Sequence, residues 1–488
     1  MKEKSFTKIN LTPWRVLFSL LTVLAVVLSS CSDDFDSFSS SAAGRLTFSA
    51  DTLRLDTTFS NVPTPMRSFW VYNHSGDGLR CANVRLLRGN QSGFRVNVDG
   101  VYLGSSAGFQ ASDIEIRKGD SIRVFVELTS PYNRADSPQS VDDELIFRLE
   151  SGVEQRVHLN AYSWDAVLMR NVHITTDSTI TSQKPLVVYG GLLVDSLATL
   201  TIGAGTTLYF HNDAGIDVYG RLLCQGTANS NVVLRGDRID RMFPYLPYDN
   251  VSGQWQGIHL HASSYGNQLL YTDLHSAYHG IRADSSDVEQ LKLEMISSIV
   301  HNCQGHGIYA VHSNLRLENS QLSNTLGYCA NFDGGNIFIN SCTFAQFYPF
   351  DAFRKAAFFA SGNDFPPLSV NCSNSLITGY ADDEFFLGGV SDSTAQYLFS
   401  HCLIRTPAIT DDSLHFENTY FELPDDTLGT GWRHFSLFDT ENLRYDFHLD
   451  SLSAAIGKAN PSTAFPTDRD GRFRKALPDV GCYEYLHE

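Results

Sequence analysis

Asp273, His275, His279, Arg282 and Asp284 fall within twelve consecutive residues. Carboxylates beside imidazole and guanidinium groups suit polysaccharide cleavage. A lyase uses carboxylates to hold calcium and a base to take a proton, and a hydrolase converges two or three carboxylates on one face. These five are the catalytic candidates. The segments that align with this one offer no matching carboxylate: Ser298, Gln321 and Thr343 stand near the position of Asp273. Sites of this kind draw on neighbouring segments, so surface decoration is the expectation and no catalytic residue is assigned. His259 and His261 share a strand face at i, i+2, a spacing that can hold a metal. No third ligand lies near them in sequence, so neither a metal site nor a cofactor is expected.

Aromatic side chains offer a second kind of chemistry. Tyr245 and Tyr248 lie in Asp240–Asp249, a stretch rich in aromatics and proline. Trp255 follows it. Phe347 and Tyr348 lie in a similar stretch, 344–353. Flat rings stack on the apolar faces of sugars, and nearby Asp or Asn bond hydroxyls, so these five are the ligand-binding candidates. Long loops on a rigid scaffold are where binding is expected. The competing expectation is that they pack down as covers over the sheet.

Both sets need elements to hold them. Over 44–165 the pattern alternates with period two, as in Phe94-Arg95-Val96-Asn97-Val98, between turns such as Lys118-Gly119-Asp120. Seven or eight such strands predict a β-sandwich, and their order resembles that of immunoglobulin-like domains. From about 170 the pattern changes. Leu274, Ile299, Leu322 and Phe344 recur at separations of 25, 23 and 22 residues, and Leu376 and Leu403 are 27 apart. That period is too short for ankyrin or armadillo units and predicts one coil of a parallel β-helix. Gly-Ile steps at 215, 257, 280 and 307 predict corners with positive φ. Asn302, Asn319, Asn324, Asn340, Asn371 and Asn374 are expected to bond between coils.

Composition sets further limits. The chain has 488 residues, of which 42% are hydrophobic and 18% charged, enough apolar material for a large core. Net charge is −18, and without residues 1–30, which hold four basic residues against one acidic, it is −21. Nucleic-acid binding needs clustered Lys and Arg, so it is excluded. Besides Cys31 there are eight cysteines, with no CxxC and no zinc-like spacing. Most sit in strand patterns and are expected to be buried thiols, and the spacing leaves any disulfide pairing open.

The N-terminus carries Lys2, Lys4, Lys8 and Arg15, then the apolar run Val16–Leu28, then Leu28-Ser29-Ser30-Cys31. The run is short for a bilayer span and reads as a secretion signal. Its end resembles the bacterial lipobox, which implies cleavage at 30/31 and acylation of Cys31. The acidic cluster Asp33-Asp34-Phe35-Asp36 is similar to the surface-export signal of Bacteroidota lipoproteins. Residues 31–43 form the tether.

Leu200-Thr201-Ile202-Gly203-Ala204-Gly205, the 215–226 segment, Gln254-Trp255-Gln256-Gly257-Ile258 and the tail Pro478-Asp479-Val480-Gly481-Cys482-Tyr483-Glu484-Tyr485 resemble Bacteroidota right-handed parallel β-helix lipoproteins. Cys482 stands where that family usually has a small residue. The resemblance covers about 170–488. It implies a pectin-lyase-like solenoid over 166–435 and a capping segment over 436–488, and says almost nothing about activity. The expectation is an all-β outer-membrane lipoprotein facing the cell exterior. It would be anchored to the membrane by lipid and would bind glycan or an extracellular protein. The alternatives are a β-helix lyase or glycoside hydrolase, and a structural envelope spacer.

Overall fold

In a computed structural model the described residues are 37–388, 395–422 and 431–486. Cys31 and the export signal lie outside them. The chain is almost wholly β, as expected, and its contacts divide it into two compact units.

The first unit comprises the stretch up to Arg54 with Pro65–Leu128 and Asp142–Asn160. One antiparallel sheet orders the strands Thr47–Phe48, Arg67–Tyr72, Ser121–Leu128, Phe94–Val98 and Val101–Tyr102. A second is built around Leu79–Leu86, which pairs with Gln139–Leu149, Gln110–Ala111 and Ile114–Ile116. Alternate residues turn inward: Phe69, Val71, Val124 and Val126 from one sheet, and Cys81, Val84, Leu145 and Phe147 from the other. Phe48 and Phe147 meet between the sheets at 5.1 Å, which makes the unit a sandwich.

The second unit holds Ala161–Glu488 with Leu55–Thr64 and Thr129–Val141. Its main sheet, of 26 strands among the described residues, pairs in parallel, as in a β-helix. Each coil contributes a strand to three faces. The first face stacks Ile216–Val218, Ile258–Leu260, Ile281–Ala283 and the first part of Ile308–Glu318, whose remainder continues the second face. The second stacks Arg221–Gln225, Asn267–Leu270 and Leu291–Ile296. The third stacks Val232–Gly236, Thr272–His275, Ile299–Cys303, Gln321–Thr325 and Thr343–Gln346. Inward residues form columns such as Ile216, Ile258, Ile281, Ile308 and Ala330, where Phe358 restores the lost volume. Apolar stacking of this kind is the main stabilising term.

Two details differ from the sequence reading. Leu274 pairs with Val300, not Ile299, while Leu322 pairs with Phe344 and Leu376 with Leu403 as expected. Val300 is the residue that turns into the core, and Ile299 faces outward, half-buried, on the same strand. Among the Gly-Ile steps only Gly257 has positive φ, at 88°. Gly280 and Gly307 are needed for another reason. A Cβ there would lie 2.4 Å and 2.5 Å from the carbonyl oxygens of Gly307 and Cys329 in the next coil.

The positive-φ corner is instead made by Tyr271, Ser297, Asn319, Ser341, Asn374, His401 and Asn418, one per coil. Asn and Ser tolerate this region by bonding locally. Asn319 donates to Ser297 Oγ at 2.9 Å in the preceding coil, as expected of a stacked amide, whereas Asn371 is exposed and stands outside the stack. The eight cysteines besides Cys31 are buried and free.

The C-terminal segment does not simply close the last coil. It runs back along the third face. Cys482 N–H donates to Thr343 Oγ1 at 3.0 Å, Tyr483 hydroxyl to Gln321 at 2.9 Å, and Arg469 to Asn231 at 3.3 Å. The reason is that outward residues there are apolar. Ala345, Phe347, Leu376 and Leu403 pack against Phe435, Phe447, Val480 and Cys482.

Candidate functional site

Three segments converge over the third face. The first insertion, 237–254, holds the small hairpin Arg241–Phe243 with Leu246–Pro247. The second begins at Phe347. The third is the C-terminal hairpin Phe435–Asp439 with Arg444–Leu449. Ser252 and Tyr348 hydroxyls bond at 2.8 Å, and Asn250 donates to Leu443 O at 3.0 Å.

Between them lies a cleft of about 560 Å³ lined by Phe243, Tyr245, Tyr348, Phe350, Glu441 and Leu443. Phe243 and Tyr245 stack at 5.7 Å and are each half exposed. Pro349 and Leu443 also line an adjoining cavity of about 440 Å³. That cavity is more polar, with Asn250, His301, Asn302, Gln321, Asn324 and Asp446.

Of the five aromatic candidates, Tyr245 and Tyr348 line the cleft. Trp255 does not. It is wholly buried, stacked on Phe210 at 4.3 Å, with its indole N–H on His275 O at 2.8 Å. Phe347 is likewise buried, edge-on to Tyr380, Phe435 and Phe438. Trp255 fills the interior of the solenoid, whereas Phe347 is buried because the C-terminal segment covers the outer side of the third face. Tyr248 carries the Arg238 guanidinium over its ring at 3.7 Å and helps hold the insertion together. The sequence reading passed over Phe243 and Phe350, although both lie in the aromatic stretches. It had no signal for the C-terminal hairpin, which arrives from about 190 residues downstream of Asn250.

The five catalytic candidates do not form one group. Asp273 and His275 face outward on the third face. Asp273 Oδ1 lies 2.9 Å from His275 Nδ1 and 3.2 Å from His301 Nε2. Burial alone would raise the Asp273 pKa, but the two imidazoles hold it well below the carboxylate range. Burial would lower His275, yet Asp273 and Asp249 raise it. Arg235, paired with Asp249, stands beside this group. His279 sits at a corner, where its Nδ1 accepts the His306 amide at 3.1 Å. Burial lowers the pKa of His279.

Arg282 and Asp284 belong to the first face, where they meet His259 and His261. The register sets Asp217, His259 and Arg282 side by side on successive coils. Asp217 Oδ1 is 3.5 Å from His259 Nδ1 and 3.0 Å from His261 Nε2. Asp284 Oδ2 is 3.0 Å from His259 Nε2 and 3.6 Å from His261 Nδ1. Tyr219 stacks flat on His261 at 3.9 Å. The third donor that the sequence did not reveal is therefore Asp217, 42 residues before His259. Bonds from His259 and His261 pull the Asp217 pKa down, and the bond to Asp217 raises His259. Beneath the turn, wholly buried Lys292 donates to His261 O at 2.7 Å, and burial lowers its pKa to about 8. No helix among the described residues is long and apolar enough to cross a membrane.

No protein-family model matches the sequence, and no curated protein matches it. Among solved structures, a protein of unknown function from Porphyromonas gingivalis W83 is similar at 14% identity over 28% of this chain and 58% of its own, with TM-score 0.19. A family 123 glycoside hydrolase from Clostridium perfringens, described for glycolipid glycan hydrolysis, is similar at 8% identity over 26% of this chain and 30% of its own, with TM-score 0.18. The chain thus spans little more than half of the first and under a third of the second. At such scores neither likeness bears on activity.

Proposed function

We propose that this protein is a non-catalytic glycan-binding lipoprotein, acylated at Cys31 and displayed on the outside of the outer membrane. The observation that carries the binding reading is the cleft where Phe243, Tyr245, Tyr348 and Phe350 meet a polar cavity floored by side-chain amides. Aromatic faces take the apolar side of a sugar ring, and Asn324, whose Oδ1 has no hydrogen-bond partner among the described residues, can accept from a hydroxyl. Hydrolysis is less well supported. Among the described residues lining the polar cavity the carboxylate is Asp446, which His448 holds down to about 2. A general acid for glycosides needs a raised pKa.

A glycan array probed with the full-length chain tests this reading, with an assay for new reducing ends on every hit. Binding without product, weakened at least about tenfold by Tyr245→Ala, supports it; loss of one good ring contact accounts for about 1.4 kcal/mol. Product release points to the hydrolase alternative. No glycan bound at all would sink the proposal. The lipid anchor is tested separately: Cys31→Ala should leave the membrane fraction.

A further inference from the structure

We infer that Asp217, His259 and His261 form a site for a divalent transition-metal ion of the zinc type, on a different face from the cleft. The three donor atoms lie within 4.8 Å of one another. A tetrahedral ion bonded at about 2.0–2.1 Å separates its ligands by about 3.4 Å. Asp217 Oδ1 stands 3.5 Å from His259 Nδ1 and 3.0 Å from His261 Nε2, so only small movements are needed. Two imidazoles with one carboxylate suit zinc and leave a fourth position open.

The surroundings agree with this assignment. A metal-bound imidazole usually turns its other nitrogen to a carboxylate that fixes the ring. Here Asp284 Oδ2 faces both remaining nitrogens, His259 Nε2 at 3.0 Å and His261 Nδ1 at 3.6 Å. Arg282 takes the opposite oxygen, Oδ1, at 3.4 Å, and its own side chain is half exposed. Tyr219 clamps His261 from one side, and Lys292 holds its carbonyl.

The other imidazole group, Asp273 with His275 and His301, also brings three donors together. Arg235 stands beside it with only 14% of its side chain exposed, so its charge opposes a cation with less solvent screening than that of Arg282, half exposed beside the first group. The buried cysteines do not compete, because burial pushes thiols such as Cys224 and Cys303 up to about 12 and keeps them protonated.

The test is a zinc titration of the full-length chain against a chromophoric chelator, with stoichiometry by metal analysis. One equivalent is expected, with a rise in Tm as zinc is added. His259→Asn with His261→Asn should weaken it by at least about 100-fold with the circular dichroism unchanged. Asp284→Asn should keep one equivalent and weaken it by about 10- to 100-fold, as a positioning carboxylate does. His275→Asn with His301→Asn should change nothing. Should wild type show no saturable binding at about 100 μM free zinc, the site does not exist. Should the His275/His301 variant be the one that loses the metal, the assignment is overturned.

Discussion

The hydroxyls of Ser252 and Tyr348 bond at 2.8 Å and so join two insertions 96 residues apart. That bond sets one wall of the aromatic cleft. Tyr348 is almost buried, and Tyr245 across the cleft is half exposed. The two residues should therefore separate binding from stability. Tyr245→Ala should leave Tm unchanged and abolish most glycan retention. Tyr348→Phe keeps the ring and loses one hydrogen bond, costing about 1 kcal/mol in a denaturant titration, with only a few-fold weaker binding.

Trp255 makes the opposite case. It fills the solenoid core against Phe210 and satisfies its N–H on His275 O. Trp255→Ala should cost about 3–5 kcal/mol and lower the unfolding midpoint. Glycan affinity measured on the remaining folded protein should stay near wild type. A selective loss of affinity without loss of stability would return Trp255 to the binding site.

Periodicity made the architecture legible, because a coil must present an apolar residue to the core at each repeat. Alternation did the same for the sandwich. The sites were harder to read. Asp217 and His259 are neighbours only because an insertion is looped out between their coils, and 42 residues of sequence hide the register. Asp273 and Asp284 lie close in sequence, yet a corner places them on different faces. Trp255 and Tyr245 look alike in a string of aromatics. What separates them is whether the position falls inside a coil or in the loop that leaves it.

A serine ladder gives a third prediction. Ser298 Oγ accepts the Thr272 amide at 2.9 Å and donates to Ile296 O at 2.9 Å. Ser320 and Ser375 repeat the pattern one coil at a time, at 3.0 Å to Ser298 N and 3.0 Å to Cys342 N. Cys342 stands in the same column, with Sγ 3.5 Å from Asn340 O. Cys342→Ser should therefore be nearly neutral in thermal melts. Ser320→Ala strands a buried amide and should cost about 1–3 kcal/mol. If both changes cost alike, the ladder is packing rather than hydrogen bonding.

His279, His306, Tyr328 and Phe359 stack up one corner, with ring spacings of 5.5, 5.6 and 4.9 Å. His306 Nδ1 accepts the Tyr328 amide at 2.9 Å, which requires the unprotonated nitrogen. Burial, helped by the neighbouring His279, lowers its pKa from 6.5 to about 4. Between those values the unfolded chain binds the extra proton, so stability from this group is present above pH 6.5 and fades as pH falls towards 4. The loss is on the order of 2 kcal/mol. His306→Gln should flatten the acid limb of a Tm-against-pH curve; an unchanged limb would assign acid sensitivity elsewhere.

His448 works in the other direction. It sits between Asp446, at 2.5 Å, and Asp470, at 2.9 Å, and rests on Tyr483 at 4.1 Å, so it ties the C-terminal hairpin to the tail. Burial would lower its pKa, but the two carboxylates outweigh that and lift it to about 9. Here the folded chain holds the extra proton. The contribution is complete below pH 6.5 and is lost as pH rises through 9. Its side chain is a third exposed, so solvent screening reduces the effect to about 1–2 kcal/mol. His448→Ala should be destabilised relative to wild type at pH 6, and the gap should narrow by pH 10. Since this hairpin also walls the polar cavity, glycan binding should weaken over the same alkaline interval, and hydrogen exchange in 435–449 should speed up with it. Binding that persists to pH 10 while exchange accelerates would separate the cavity from the hairpin that borders it.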